Sequence, residues 1–214
     1  DAPTSSITGL LHGRDTDAGD TLTWSVSGNG QGTYGHLALD TQSGRWTYQL
    51  DNADADTNTL RAGQQGQEVF QITVTDSAGA SGTSVVRVMV IGTDDRAVIA
   101  GVDTGSVTED TAVQSGQLKA SGQLTVSDVD TGEAQFMPIQ DLAGKFGHLS
   151  LNTDGSWVYQ ADNSSAAVQA LGKGQSATER FTVHSVEGTA HEVSVTLQGA
   201  DEAQSNHAPT ATEG

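Results

Sequence analysis

The sequence predicts an all-β fold: two tandem Greek-key β-sandwiches joined by a short acidic linker. Three observations carry this. Apolar and polar residues alternate in short runs, which sets one face in a core and the other in water. Glycine is abundant (26 residues), proline is scarce (3), and no long stretch has a helical period. The whole pattern also occurs twice.

The duplication is legible residue by residue. Gly32-Thr33-Tyr34-Gly35-His36-Leu37 returns as Gly144-Lys145-Phe146-Gly147-His148-Leu149, an offset of 112. Arg45-Trp46-Thr47-Tyr48 returns as Ser156-Trp157-Val158-Tyr159, an offset of 111. Asp51-Asn52 returns as Asp162-Asn163, and Gly92-Thr93-Asp94-Asp95 as Gly199-Ala200-Asp201-Glu202, the last at an offset of 107. Each copy is long enough to own a core, so the copies are beads and not turns of a solenoid. The boundary falls near Arg96: one sandwich at 1–96, a second at 97–205, and the start of a third repeat or a linker at 206–214. The chain opens at Asp1-Ala2-Pro3-Thr4 and stops just after Asn206-His207-Ala208-Pro209-Thr210, and both ends read as cuts inside a longer polypeptide.

In the first copy the strands are marked by Leu37 and Leu39, by Trp46, Tyr48 and Leu50, by Phe70, Ile72 and Val74, and by Val86, Val88 and Val90. The second copy repeats them with Leu149/Leu151, Trp157/Tyr159, Phe181/Val183 and Val193/Val195/Leu197. Thr41-Gln42-Ser43-Gly44 and Thr153-Asp154-Gly155 are hairpin turns, because glycine accepts positive φ. Residues 51–67 and 162–177 lack alternation, and residues 166–171 read as one helical turn. Six or seven strands in a bead of this length give a Greek-key sandwich.

The chain is acidic, with 27 Asp plus Glu against 9 Lys plus Arg and a formal charge of −18. Such a surface repels phosphate backbones and anionic lipid, which excludes nucleic acid as a partner. No apolar run reaches spanning length, so membrane insertion is not expected. The absence of cysteine removes thiolate catalysis and Cys-ligated zinc, and suits a long exported bacterial protein. His12, His36, His148, His184, His191 and His207 form no nucleophile–base pattern, so no enzyme is expected.

The carboxylates cluster. Asp15-x-Asp17-x-x-Asp20 lies in the first copy and Asp128-x-Asp130-x-x-Glu133 in the second. One reading is that Asp merely populates turns, bonding its own backbone. The other is that alternate loop carboxylates converge on Ca²⁺, which accepts six to eight oxygens in flexible geometry. Recurrence at the same place in both copies selects calcium. Asp94-Asp95 at the bead boundary, Glu109-Asp110 early in the second copy, and Asp76 at a strand end extend the acidic set.

The order G-x-L-x-V-x-D-x-D-x-G, G-x-[YF]-G-x-L-x-L, W-x-Y, D-N, L-x-x-G, F-x-V and G-x-D-[DE] resembles the VCBS repeat of large bacterial adhesins related to the RTX proteins. It covers residues 122–202 of the second copy and about 15–95 of the first. The resemblance implies cadherin-like or immunoglobulin-like sandwiches with calcium in their linkers. It likens Glu109 to the acidic residue on the first strand at a domain base. It likens Asp128 and Asp130 to top-loop ligands that face Asp94 and Asp95, and Asp15, Asp17 and Asp76 to the matching set of the first copy, whose linker would be the Asp1 region. The first copy departs by lacking Thr-Glu-Asp, so its first strand is expected to be missing or shortened. Ser185, with Glu187 two residues on, stands where the first copy has Asp76. Thr93-Asp94-Asp95-Arg96-Ala97 replaces the more usual Asn-Asp-Ala-Pro.

These readings give a calcium-rigidified extender of a secreted bacterial surface adhesin, in biofilm or host attachment. It would be monomeric, with neighbouring repeats as partners through calcium-bridged linkers. The alternative is a carbohydrate-binding module for cell-surface polysaccharide. Trp46 and Trp157 are then core residues, and Trp24, with no aromatic counterpart in the second copy, is the exposed stacking candidate.

Overall fold

The alternating runs form strands throughout the computed structural model, which describes residues 5–17 and 19–201. The segment 206–214 and the Asp1 region lie outside the described residues. Contacts divide the chain into Asp1–Asp95 with Val129–Thr131, and Arg96–Asp128 with Gly132–Gly214.

The first unit carries β1 (Ser6–Leu10), β2 (Thr23–Val26), β3 (Gly35–Leu39), β4 (Arg45–Leu50), α1 (Ala55–Asn58), β5 (Gln65–Thr75) and β6 (Ser81–Ile91). They build two sheets, β1-β4-β3 and β2-β5-β6. Leu37 opposes Tyr48 in the first sheet, and Phe70 opposes Val86 in the second. Their inward faces share one core with Trp24, Leu60, Ile72, Val88 and Val90.

The second unit carries β7 (Val98–Gly101), β8 (Thr104–Thr108), β9 (Gln117–Ser127), β10 (Ile139–Ala143), β11 (Gly147–Leu151), β12 (Ser156–Asp162), α2 (Ala166–Gln169), β13 (Ser176–His184) and β14 (Ala190–Gln198). Its sheets are β10-β11-β12-β9-β7 and β13-β14-β8, with β8 parallel to β14. Leu149 opposes Tyr159 and Phe181 opposes Val193, the same pairs as in the first unit.

The hairpin glycines Gly44 (φ 68°) and Gly155 (φ 85°) sit in the left-handed region the turns demand. The expected helical turn at 166–171 is α2. The first unit has an equivalent, α1, which alternation did not reveal: Asp54 and Ser165 each cap a single turn by accepting a backbone N–H. Among the described residues the first unit has no counterpart of β7 or β8.

Trp24 corrects the sequence reading. It is 6% exposed and belongs to the core, so it offers no stacking face. Nor does it lack a counterpart. Trp24 pairs with Val74 against the Gly44 turn, and Phe136 bridges Ser185 against the Gly155 turn. The two positions are 112 apart, the offset of the glycine motif.

Candidate cation-binding carboxylates

The loop between β1 and β2 turns back on itself because Asp15 accepts the Asp17 N–H at 2.8 Å. That local turn brings oxygens of Asp15, Asp17 and Asp20 within 4.8 Å of one another. Three like charges this close repel unless a cation sits among them. Asp76 is not in the group. Its carboxylate accepts the N–H of Ala78 (2.9 Å) and Ala80 (2.8 Å) and closes the β5–β6 hairpin. Its neighbour Ser77 donates to Asp20 at 2.5 Å and ties that hairpin to the acidic loop.

Asp94 and Asp95 follow β6 and are exposed. The excursion Val129–Thr131 of the β9–β10 loop groups with this unit. Thr131 donates its N–H to the Thr59 carbonyl at 3.4 Å, and Arg61 donates to the Thr131 carbonyl. This places Asp130, only 2% exposed, to accept the Asp95 N–H at 2.9 Å, with a carboxylate oxygen within 4.8 Å of one of Asp94. Asp128 is partly buried two residues earlier, and Glu133 partly buried three residues later.

In the second unit the β13–β14 turn carries Glu187. Its carboxylate accepts from the Ser185 hydroxyl (2.9 Å), the Thr189 N–H (3.2 Å) and the Ala97 N–H (3.3 Å). Bonds from Thr189, then Ser185 and the backbone, hold it below the ordinary carboxylate range. Glu187 thus fastens the start of its own unit, a role that the comparison with Asp76 did not suggest.

At the opposite end of β8 the chain buries Glu109, 1% exposed. Its N–H bonds the Gln198 carbonyl at 2.9 Å, and one carboxylate oxygen accepts the Ala200 N–H at 3.1 Å. The other, Oε1, has no hydrogen-bond partner among the described residues. A buried carboxylate oxygen is costly to leave unmatched, and a hard cation is the partner its chemistry fits. Asp110 is exposed beside it, in the left-handed region (φ 55°), and exchanges two bonds with Asn163.

Sequence reasoning missed another pair of acidic residues. Glu179 is buried and accepts the N–H of Lys145, Phe146 (2.9 Å) and Gly147 (3.2 Å) and the Tyr159 hydroxyl (2.6 Å). Burial and this carboxylate push the Tyr159 phenol strongly up. Glu68 holds the same place in the first unit, bonding the Tyr34 N–H at 2.8 Å, while Tyr48 and Glu68 Oε2 close no bond with each other. The pair explains the repeated glycine motif: a Cβ on Gly32 would meet Glu68 at 2.0 Å, and one on Gly144 would meet Glu179 at 2.4 Å. The signal was available as Glu68-x-Phe70 and Glu179-x-Phe181 at the common offset of 111.

No helix among the described residues is long and apolar enough to cross a membrane. No curated protein sequence matches the chain. Several solved structures are similar to it. The human desmocollin-1 ectodomain is 12% identical over 89% of this chain and 32% of its own, with a TM-score of 0.31. Protocadherin gamma B7 extracellular cadherin domains 1–4 are 19% identical over 83% and 40%, at 0.44. A Ca²⁺-stabilized adhesin with which an Antarctic bacterium binds ice is 19% identical over 92% and 43%, at 0.29. The chain thus spans less than half the length of each. The family model of the bacterial cadherin-like domain matches residues 1–92 and again 94–199, one match per copy. With nearly all of its length matched, the chain belongs to the bacterial cadherin-like domain family.

Proposed function

We propose that this chain is a calcium-rigidified extender segment of a secreted bacterial surface adhesin, spacing an adhesive domain from the cell in biofilm or host attachment. The observation that carries the reading is Glu109, a buried carboxylate with one oxygen on the Ala200 N–H and the other unmatched. It lies where the chain leaves β14, at the exit of a bead. Acidic groups at bead entries and exits repel, so the joints flex without a counter-ion.

Glu109 with Asp110, and Asp94, Asp95, Asp128 and Asp130, are the groups that would hold the ions, supported by Asp15 and Asp17 in the first unit. Asp76 holds its hairpin through one carboxylate oxygen, and its neighbour Ser77 ties that hairpin to Asp20. Calcium supplies no chemistry here beyond charge compensation and oxygen ligation; no residue acts on a substrate. Extracellular sites of this kind bind at roughly 10⁻⁴–10⁻³ M, so they fill outside the cell.

Calorimetric titration of calcium tests the assignment. The wild-type chain binds in that range. Glu109→Gln and Asp130→Asn each remove a distinct part of the binding, and magnesium substitutes poorly. Unchanged isotherms in both variants would refute the ligand assignment.

A further inference from the structure

Strands β5 and β6 alternate so that Phe70, Ile72, Val86, Val88 and Val90 enter the core while the residues between them point to solvent. Four of those outward residues are large and apolar: Val69, Val85, Met89 and Ile91, each between 43% and 60% exposed. They are neighbours on the sheet, since Val69 opposes Arg87, Gln71 opposes Val85 and Gln67 opposes Met89. The fold does not require them. Phe181 and Gly199 match Phe70 and Gly92, so the equivalent positions of β13 and β14 are Arg180, Glu192, Thr196 and Gln198. There Arg180 and Glu192 form an ion pair on a polar face. Single exposed apolar side chains are ordinary, but a contiguous group marks a contact surface.

Charge says what kind of partner fits. The chain carries 27 Asp plus Glu and a net charge of −18, yet no carboxylate stands at an outward position of β2, β5 or β6. Arg87 is the single charge on that face. Two copies of so acidic a chain repel across most of their surface, and this face is where the repulsion is least. The face is also self-complementary. Gln65, Gln67 and Gln71 are exposed, and each amide offers both donors and an acceptor, so the face meets its own image without setting like against like.

We propose that the outward face of β2, β5 and β6 is a self-association surface, covered by the same face of a second copy of this chain about a two-fold axis. Val69, Val85, Met89 and Ile91 supply the apolar centre, and facing glutamine amides accept from the Arg87 guanidinium. Two strands of eleven residues make a face about 35 Å long and, with β2, about 12 Å wide, so the contact buries roughly 1,000 Å² in total. That is the small end for a specific interface and gives a weak dimer. The proposal departs from the monomer expected from the sequence. It depends neither on the carboxylate sites nor on what pairs with the strand edges, because these side chains project from the sheet and not along it.

Analytical ultracentrifugation of the 214-residue chain tests it, from about 10 µM to 1 mM, with calcium and with chelator. The expected result is a concentration-dependent dimer in both conditions. The double variant Val69→Arg, Val85→Glu installs the residues that the second unit already carries, so it should keep its Tm and stay monomeric throughout. Bismaleimide cross-linking locates the contact in a chain that has no cysteine of its own. Met89→Cys should cross-link between copies, and Thr196→Cys, its counterpart on the second unit, should not. A wild-type chain monomeric at every concentration would overturn the proposal, as would undiminished association of the double variant or equal cross-linking of the two cysteine variants. Association seen only with calcium would assign the contact to carboxylates and overturn it as well.

Discussion

Replacing Glu179 by Gln tests the physical account of the repeat signature. The carboxylate takes three backbone N–H groups and the Tyr159 hydroxyl in a buried site. An amide keeps one oxygen for Lys145 and Phe146 but turns its NH₂ on the Gly147 N–H, donor against donor. Hydrogen bonds to a charged group are worth about 1.5–3 kcal/mol, so Glu179→Gln should cost the second unit about 2–3 kcal/mol. Glu179→Ala strands all four donors and should cost about 3–5 kcal/mol. Glu68 has one such bond, to Tyr34, so Glu68→Gln should cost the first unit only about 1 kcal/mol. In a domain of this size 1 kcal/mol moves Tm by about 4–8 °C, so the second-unit transition should fall by about 10–20 °C in Glu179→Gln. Thermal unfolding followed through Trp157 for one unit, and Trp24 and Trp46 for the other, reads both. A second-unit Tm unchanged in Glu179→Gln, or equal losses in the Glu68 and Glu179 variants, would refute the reasoning.

Gly122→Ala should destabilise the second unit by about 1–3 kcal/mol, because the new Cβ meets the buried Trp157 ring at 2.6 Å. Gly9→Ala should cost the first unit less, since Trp46 is partly exposed and can shift; urea midpoints decide it. Acid should weaken both units. Asp40, Asp154 and Asp162 are held below their ordinary value of 3.8 by Ser43, Ser156 and Ser164, and Glu187 below 4.5 by Thr189. Their stabilisation is present above those ordinary values and is lost as pH falls through the lower folded ones. Tm should therefore drop as pH falls below those ordinary values, and a flat profile there would contradict the assignment. Glu109→Gln should lose stability relative to wild type in calcium but not in chelator, because the neutral amide removes the charge that only a cation compensates; equal loss in both would make Glu109 merely structural.

Sheet architecture was legible because its signal is local. Period-two alternation marks strands, and a duplicated Trp-x-Tyr or Gly-x-Tyr/Phe-Gly marks the same strand twice. The single turns α1 and α2 differ in legibility for a physical reason: Ala166, Ala167 and Val168 look helical, whereas Ala55, Asp56 and Thr57 do not, and only the Asp54 cap makes that turn. Trp24 was misjudged because burial depends on which side of β2 faces the Gly44 turn, a matter of pairing and not of composition. Among the carboxylates, spacing exposed the Asp15, Asp17 and Asp20 group, a loop-local feature. It could not reveal that Glu187 fastens Ala97, or that Glu109 is buried with one oxygen unmatched. Those depend on residues 90 and 91 positions apart being brought together by the fold.

The central claim, that calcium stiffens this acidic chain, is tested most directly by small-angle scattering of the whole chain, first with calcium and then with chelator. The account predicts a longer maximum dimension and a narrower distribution of shapes with calcium, reversed by chelator and diminished in Asp130→Asn. Identical scattering profiles in the two conditions would contradict it.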